Sequence, residues 1–280
     1  GKIALKSISA LCWTGRKKNK RYLLAGCLMI AFVFILVFAT NGNNVKPKDD
    51  QSNVVQVEKN KEKKVQKLVE NYYKAYQKAD FESLKSYVTP ISENETAYIT
   101  MFAAHVEKFT LKDCYTKKLE EKGSFLVSAH IQIKFKDIDV SAPGLDFFVI
   151  KTAKDGRLYV DNIYSQFNLQ VEEFIQDKTI LSEIRKYEKN PIIIKLQGNI
   201  QDQYDKAIKK SPELKLLVEE TIKQEISTWF GTVQIVQFQP APAFELPILA
   251  GKDTKPETPV EPPAPVPEEP VVPVAPVAPV

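Results

Sequence analysis

Leu23 to Ala39 is a run of seventeen residues, LLAGCLMIAFVFILVFA, without a single charge. At about 1.5 Å of rise per residue it makes a helix roughly 26 Å long, which with Tyr22 and Thr40 at its ends spans a bilayer. A buried helix of a globular core would carry a polar stripe, and this run has none. The sequence therefore predicts a transmembrane helix over 22–40. Arg16, Lys17, Lys18, Lys20 and Arg21 crowd its N-terminal side, whereas Lys46 and Lys48 on the other side are offset by Asp49 and Asp50. The positive-inside rule then puts the N-terminus in the cytoplasm and everything after the helix outside.

A cleaved signal peptide is the rival reading. It calls for a shorter apolar core and a small-residue cleavage site, which Phe38-Ala39-Thr40-Asn41-Gly42 matches poorly. Leu24-Ala25-Gly26-Cys27 resembles a lipoprotein cleavage box, but the apolar run continues well past Cys27. Residues 1–21 form a basic cytoplasmic segment. Ala4, Ile8, Leu11 and Cys12 fall at helical spacing among Lys2 and Lys6, so it reads either as an amphipathic helix on the inner leaflet or as a disordered tail.

Residues 41–60 are polar and read as a linker. Val65, Leu68, Val69, Tyr72 and Tyr76 then mark one stripe of a helix over Lys61–Lys78. Asp80 opens a short helical turn carrying Phe81, Leu84 and Val88. A third helix is expected from Glu93 to Lys108, with Ile99, Phe102, Ala103 and Val106 inward. The period then changes from 3.6 to 2. Phe125, Val127, Ala129, Ile131, Ile133 and Phe135 alternate with Leu126, Ser128, His130, Gln132 and Lys134 in a long strand, preceded by a strand over Phe109–Leu119 and the turn Glu121-Lys122-Gly123. Pro143-Gly144 predicts another turn, and Phe147–Thr152 and Leu158–Tyr164 a hairpin joined by Lys154-Asp155-Gly156. Three helices followed by four antiparallel strands in a meander make an α+β domain, the sheet curling over the first helix.

The run Tyr72 to Leu84, with its long helix ending in an Asp80-opened turn, resembles the opening of the NTF2-like (cystatin-like) superfamily. Gly156-Arg157-Leu158-Tyr159-Val160-Asp161 is similar to its last hairpin. The resemblance covers residues 61–166 and implies a cone of three helices on a curved antiparallel sheet. Membrane-anchored members, such as conjugation-channel subunits and sporulation ring components, share the layout of short tail, single helix, linker and outer domain. Their domains mostly assemble or bind.

Residues 167–238 return to helical periodicity. Val171, Phe174, Ile175, Leu181 and Ile184 mark one helix, which Gln176-Asp177-Lys178 can break. Asn190-Pro191 and Ser211-Pro212 each place a capping residue before a first-turn proline and predict an antiparallel helical hairpin closed by Gly231. Two helices alone bury too little surface, so the pair is expected to dock on the first domain, on Val171 to Ile184 or on a partner. Residues 239–280 form a Pro-rich disordered tail, with ten of the chain's 18 prolines in Lys255–Val280, a composition for extended spacers.

The net charge of +4 comes from the basic cluster at the start, which argues against nucleic acid as a partner. Cys12, Cys27 and Cys114 fall in three separate regions, so neither disulfide framework nor zinc spacing is present, and Cys114 reads as a small core residue. No nucleotide-binding, hydrolase or metalloprotease motif occurs. His130, on the Gln132/Lys134 face of its strand, reads as a surface residue, and His105 as a boundary position. Asp137 and Asp139 read as solvated acids at a strand end. Asp161 is the acid to test for catalysis, because enzymes of the resembled fold use a buried Asp or His in the cone.

The expectation is thus a non-enzymatic, single-pass envelope protein of the cell membrane, N-terminus cytoplasmic and C-terminus extracellular, with no catalytic, cofactor-binding or metal residues and no cofactor. Its partners are the lipid bilayer and, outside the cell, another protein or a second copy, with attachment to the cell wall through a further C-terminal module left open. A small-molecule-binding or catalytic cone is the alternative.

Overall fold

A computed structural model describes residues 56–242, 244 and 246. The expected cytoplasmic segment 1–21, the expected transmembrane helix 22–40, most of the expected linker and the expected Pro-rich tail from residue 247 lie outside the described residues. Among the described residues, no helix is long and apolar enough to cross a membrane.

The protein is α+β: a six-stranded sheet with helices against both faces. Helix α1 (Lys63–Tyr76) turns Val65, Leu68, Val69, Tyr72, Tyr73, Ala75 and Tyr76 inward, the stripe its spacing dictates. The short helix α2 (Phe81–Leu84) is capped by Asp80, whose carboxylate accepts from the Ser83 N–H at 3.1 Å. Helix α3 (Glu93–Ala103) starts at Ser92 and ends earlier than expected, so Val106 opens a strand instead of closing the helix.

The central strands β3 (Val106–Lys118), β4 (Phe125–Phe135), β5 (Ala142–Thr152) and β6 (Leu158–Asp161) form the expected antiparallel meander. Two short strands extend it. β1 (Glu58–Lys59), within the sequence-assigned linker, pairs antiparallel with β3, and β2 (Val88–Thr89) pairs parallel with β6. The sheet is therefore mixed, in the order β1-β3-β4-β5-β6-β2.

Pro143-Gly144 is not a turn. Both residues lie inside β5, where Pro143 pairs with Gln132 and Gly144 with Ile131. β6 covers only Ile150 to Thr152, so the far side of the earlier residues is an edge, and a proline without an N–H is tolerated there. Gly144 provides space instead of a special backbone angle: a Cβ there would sit 3.1 Å from Ile131 Cγ1. Gly144→Val should cost about 1–3 kcal/mol by overpacking β4 against β5, measured as a lowered urea midpoint with an unchanged slope.

Helices α4 (Gln166–Val171), α5 (Lys178–Glu188), α6 (Pro191–Lys210), α7 (Pro212–Leu216) and α8 (Lys223–Thr232), with a π-helical stretch Leu217–Ile222 between the last two, complete the fold. The caps foreseen at Asn190 and Ser211 are present: each side-chain oxygen accepts a first-turn N–H, from Ile192 and Leu214. The two arms do not form a free hairpin. α6 lies on β5 and α8 on α3, so the helical region docks on the sheet domain from both sides. The outer sheet face contributes Leu126, Phe147 and Val149 to a core with Tyr164, Ile184, Tyr187 and Ile193. The inner face shares a larger core with α1 and α3, which also takes in Tyr204, Leu214, Val218, Ile222 and Ile226.

Candidate functional site

The inner face of β4 presents Phe125, Val127, Ala129, Ile131, Ile133 and Phe135, and that of β5 presents Ala142, Phe148 and Ile150. Asp146 belongs to the same alternation and points inward with them. Opposite, α1 supplies Tyr72, Tyr73 and Tyr76. The rings interlock: Tyr72 meets Phe148 edge-on at 5.2 Å, Tyr73 meets Phe109 at 4.9 Å and Tyr76 meets Phe109 at 5.6 Å. This packing leaves a cavity of about 50 Å³, bounded by Tyr72, Tyr76, Tyr98, Phe167, Glu95 and Asp146. The space holds on the order of four water-sized groups.

Two carboxyl groups reach this cavity. Asp146 Oδ2 accepts from the Tyr73 hydroxyl at 2.8 Å, and Oδ1 from the Phe147 N–H at 2.8 Å. Burial drives its pKa up to about 6, against the lowering effect of those two bonds. Glu95 stands at the third position of α3 after Ser92. Ser-x-x-Glu ordinarily makes a reciprocal capping box, and the Ser92 oxygen does accept from the Glu95 N–H at 3.0 Å. The Glu95 side chain turns inward instead and accepts from Asn162 Nδ2 at 2.6 Å. Asn162 also donates to the Pro90 carbonyl at 2.8 Å, which locks its amide in place.

Burial raises Glu95 to about 8, partly offset by Asn162 and reinforced by nearby Glu173. Glu173 is itself buried. Its Oε1 accepts from Asn94 at 3.2 Å, and its Oε2 has no hydrogen-bond partner among the described residues. Near neutral pH the cavity therefore holds one protonated and one ionised carboxyl group. So small a space does not admit a drug-sized substrate, for which pockets run to ~300 Å³ or more.

Trp229 of α8 covers this end of the interior, its ring 5.9 Å from Tyr98 and 6.1 Å from Phe167. His105, just past α3, ties the same helix down through Nε2, 2.7 Å from Glu225 Oε2.

The other sequence candidates lie elsewhere. Asp161 is on the outer face of β6, paired with Lys151 at 2.9 Å, so it does not face the interior; the alternation that points Val160 inward points Asp161 out. His130 is on the outer face as its spacing required, but it is half-buried, with Nδ1 3.7 Å from Asp113 and a buried Nε2 lacking a partner among the described residues. Asp137 and Asp139 sit at the β4–β5 turn, where Asp137 adopts a φ of 59°. Cys114 is fully buried and its thiol is pushed up to about 12 by burial. Among the described residues, no group of three or more His, Cys, Asp or Glu side chains is placed to hold a metal ion.

Sequence reasoning passed over Asp146 and Glu95, although both carried a signal. Asp146 shares the parity of Phe148 and Ile150. Glu95 precedes Ile99 by four and Phe102 by seven, the spacing of one buried helix face. The site thus defines an α+β domain with a largely filled interior and two buried acids. No family model, no curated protein and no solved structure matches the chain.

Proposed function

We propose that this chain is a single-pass membrane-anchored protein of the bacterial cell envelope whose NTF2-like domain lies outside the cytoplasm and binds or assembles without catalysing a reaction. The charge-free stretch at 23–39 with its basic N-terminal flank supports the anchor and its orientation. The observation that carries the binding role is the filling of the interior by Tyr72, Tyr73, Tyr76, Phe102, Phe109 and Phe148. A cone used for small-molecule chemistry keeps that volume open. Apolar side chains are displayed outside instead: Ile192 and Ile194 are 43% and 48% exposed at the start of α6, and Leu216 is 55% exposed.

The raised pKa values of Glu95 and Asp146 favour a second reading, a catalytic or ligand-binding cone. A membrane-impermeant, amine-reactive crosslinker on intact cells expressing the full chain tests the first. The lysines of α1 should react, and species larger than the monomer should form. Reaction only after lysis would overturn the orientation. Reaction without any crosslinked species would overturn the assembly role and leave the second reading standing.

A further inference from the structure

The cavity beside Glu95 and Asp146 has an unusual set of walls. Tyr72, Tyr76 and Tyr98 are 8%, 5% and 6% exposed, and their hydroxyls make no hydrogen bond to any described residue. Glu95 is 7% exposed; Asn162 occupies its Oε2, and Oε1 has no partner among the described residues. Asp146 uses one lone pair on each oxygen, which leaves further acceptor sites. None of the lining residues is Lys, Arg or His. The walls thus combine acceptor oxygens, aromatic rings and negative charge, and no built-in cation balances them. These oxygens border the cavity space, so a positively charged donor placed there reaches acceptors and aromatic rings at once.

We propose that this cavity binds a small N–H cation, ammonium or methylammonium, between the carboxyl groups of Glu95 and Asp146 and the rings of Tyr72, Tyr76 and Tyr98. The N–H groups are donated to the carboxylate and phenol oxygens, and the ring faces attract the charge. Hard metal ions take six to eight oxygen ligands, and among the described residues no group of three or more His, Cys, Asp or Glu side chains is placed to hold one. The cavity volume of about 50 Å³ limits the ligand to a few heavy atoms. The half-buried Ser165 and Gln166 complete its lining. The site stands independently of the membrane-anchor reading.

Charge and pH fit the same picture. The titratable groups facing the pair are Tyr72, Tyr73 and Tyr76 from α1, Tyr98 from α3 and Glu173 from the segment after α4, and none of them supplies a positive charge. With Asp146 titrating at about 6 and Glu95 at about 8, the cavity carries one negative charge near neutrality and two above it. Cation binding therefore strengthens as the pH rises through both values and releases protons on the way.

The test is the melting temperature of the full chain in methylammonium chloride against sodium, potassium and tetramethylammonium chlorides at equal ionic strength, at about pH 5 and about pH 8.5. Methylammonium should give a saturable rise of about 5 °C at a hundredfold excess over half-saturation at the higher pH, and little at the lower. The double variant Glu95→Gln, Asp146→Asn should lose the response. The bound methyl signal of ¹³C-methylammonium should also move upfield in NMR spectra through the tyrosine ring currents. Equal melting temperatures in all four salts, a rise with sodium or potassium alone, or an unshifted methyl signal would each overturn the proposal.

Discussion

Replacing Glu95 with glutamine should raise the melting temperature of the full chain by on the order of 10 °C at about pH 8.5 in amine-free buffer, and barely change it at about pH 4. The folded protein holds the Glu95 proton until about pH 8, whereas the unfolded chain releases it near the ordinary value of 4.5. A raised folded-state pKa means stability that is fully present below 4.5 and lost as the pH climbs to about 8, after which the deficit is constant. At about 1.4 kcal/mol per pH unit the loss is on the order of 5 kcal/mol. Glutamine removes the buried charge and keeps an amide oxygen for Asn162. Asp146 adds a smaller loss of the same sign between 3.8 and about 6. Thermal melts of wild type and variant across this range decide the matter. A variant that melts lower at alkaline pH would mean that the Glu95 charge is stabilised by its surroundings, contrary to the burial argument.

Tyr187→Ala should destabilise the protein by about 3–5 kcal/mol and leave a single cooperative unfolding transition. Tyr187 of α5 is fully buried against the outer sheet face, its ring 6.0 Å from Phe147. Its hydroxyl donates to the Tyr115 carbonyl at 2.8 Å and lies 3.1 Å from Ser128 Oγ. Truncation removes the ring, leaves a cavity and strips β3 and β4 of a polar tie. Tyr187→Phe loses only the bond and should cost about 1 kcal/mol. Urea unfolding followed by far-UV circular dichroism and by Trp229 fluorescence gives the comparison. Coincident transitions mean that sheet and helices unfold together. Separated transitions would mean that the helices from Lys178 to Thr232 are an independent unit, against the cores that sheet and helices share.

Two features of the surface bear on what the domain meets. The exposed Ile192 and Ile194 project from the first turns of α6 while Ile193 between them is 1% exposed, so the same stretch both anchors the helix and displays apolar area. Trp229 Nε1, by contrast, is buried without a partner among the described residues, so α8 holds to the interior through ring packing and the His105–Glu225 pair.

Periodicity alone determined most of the local structure. The 3.6-residue stripe of α1, the strict alternation of β4, the caps at Asp80, Asn190 and Ser211 and the glycine turns at Gly123 and Gly156 follow from spacing and backbone preference, which act within a few residues. Pro143-Gly144 misled because proline and glycine usually mark turns. Their place inside β5 depends on an unpaired sheet edge and on the volume of Ile131, and neither is a property of the dipeptide. The filled interior, the docking of α6 and α8 on opposite sides of the sheet, and the meeting of Glu95 with Asp146 were decided only by tertiary structure. Glu95 and Asp146 are fifty-one residues apart in sequence. Their shared cavity exists because α3 and β5 close on one core, and burial in that core is what shifts their proton affinity.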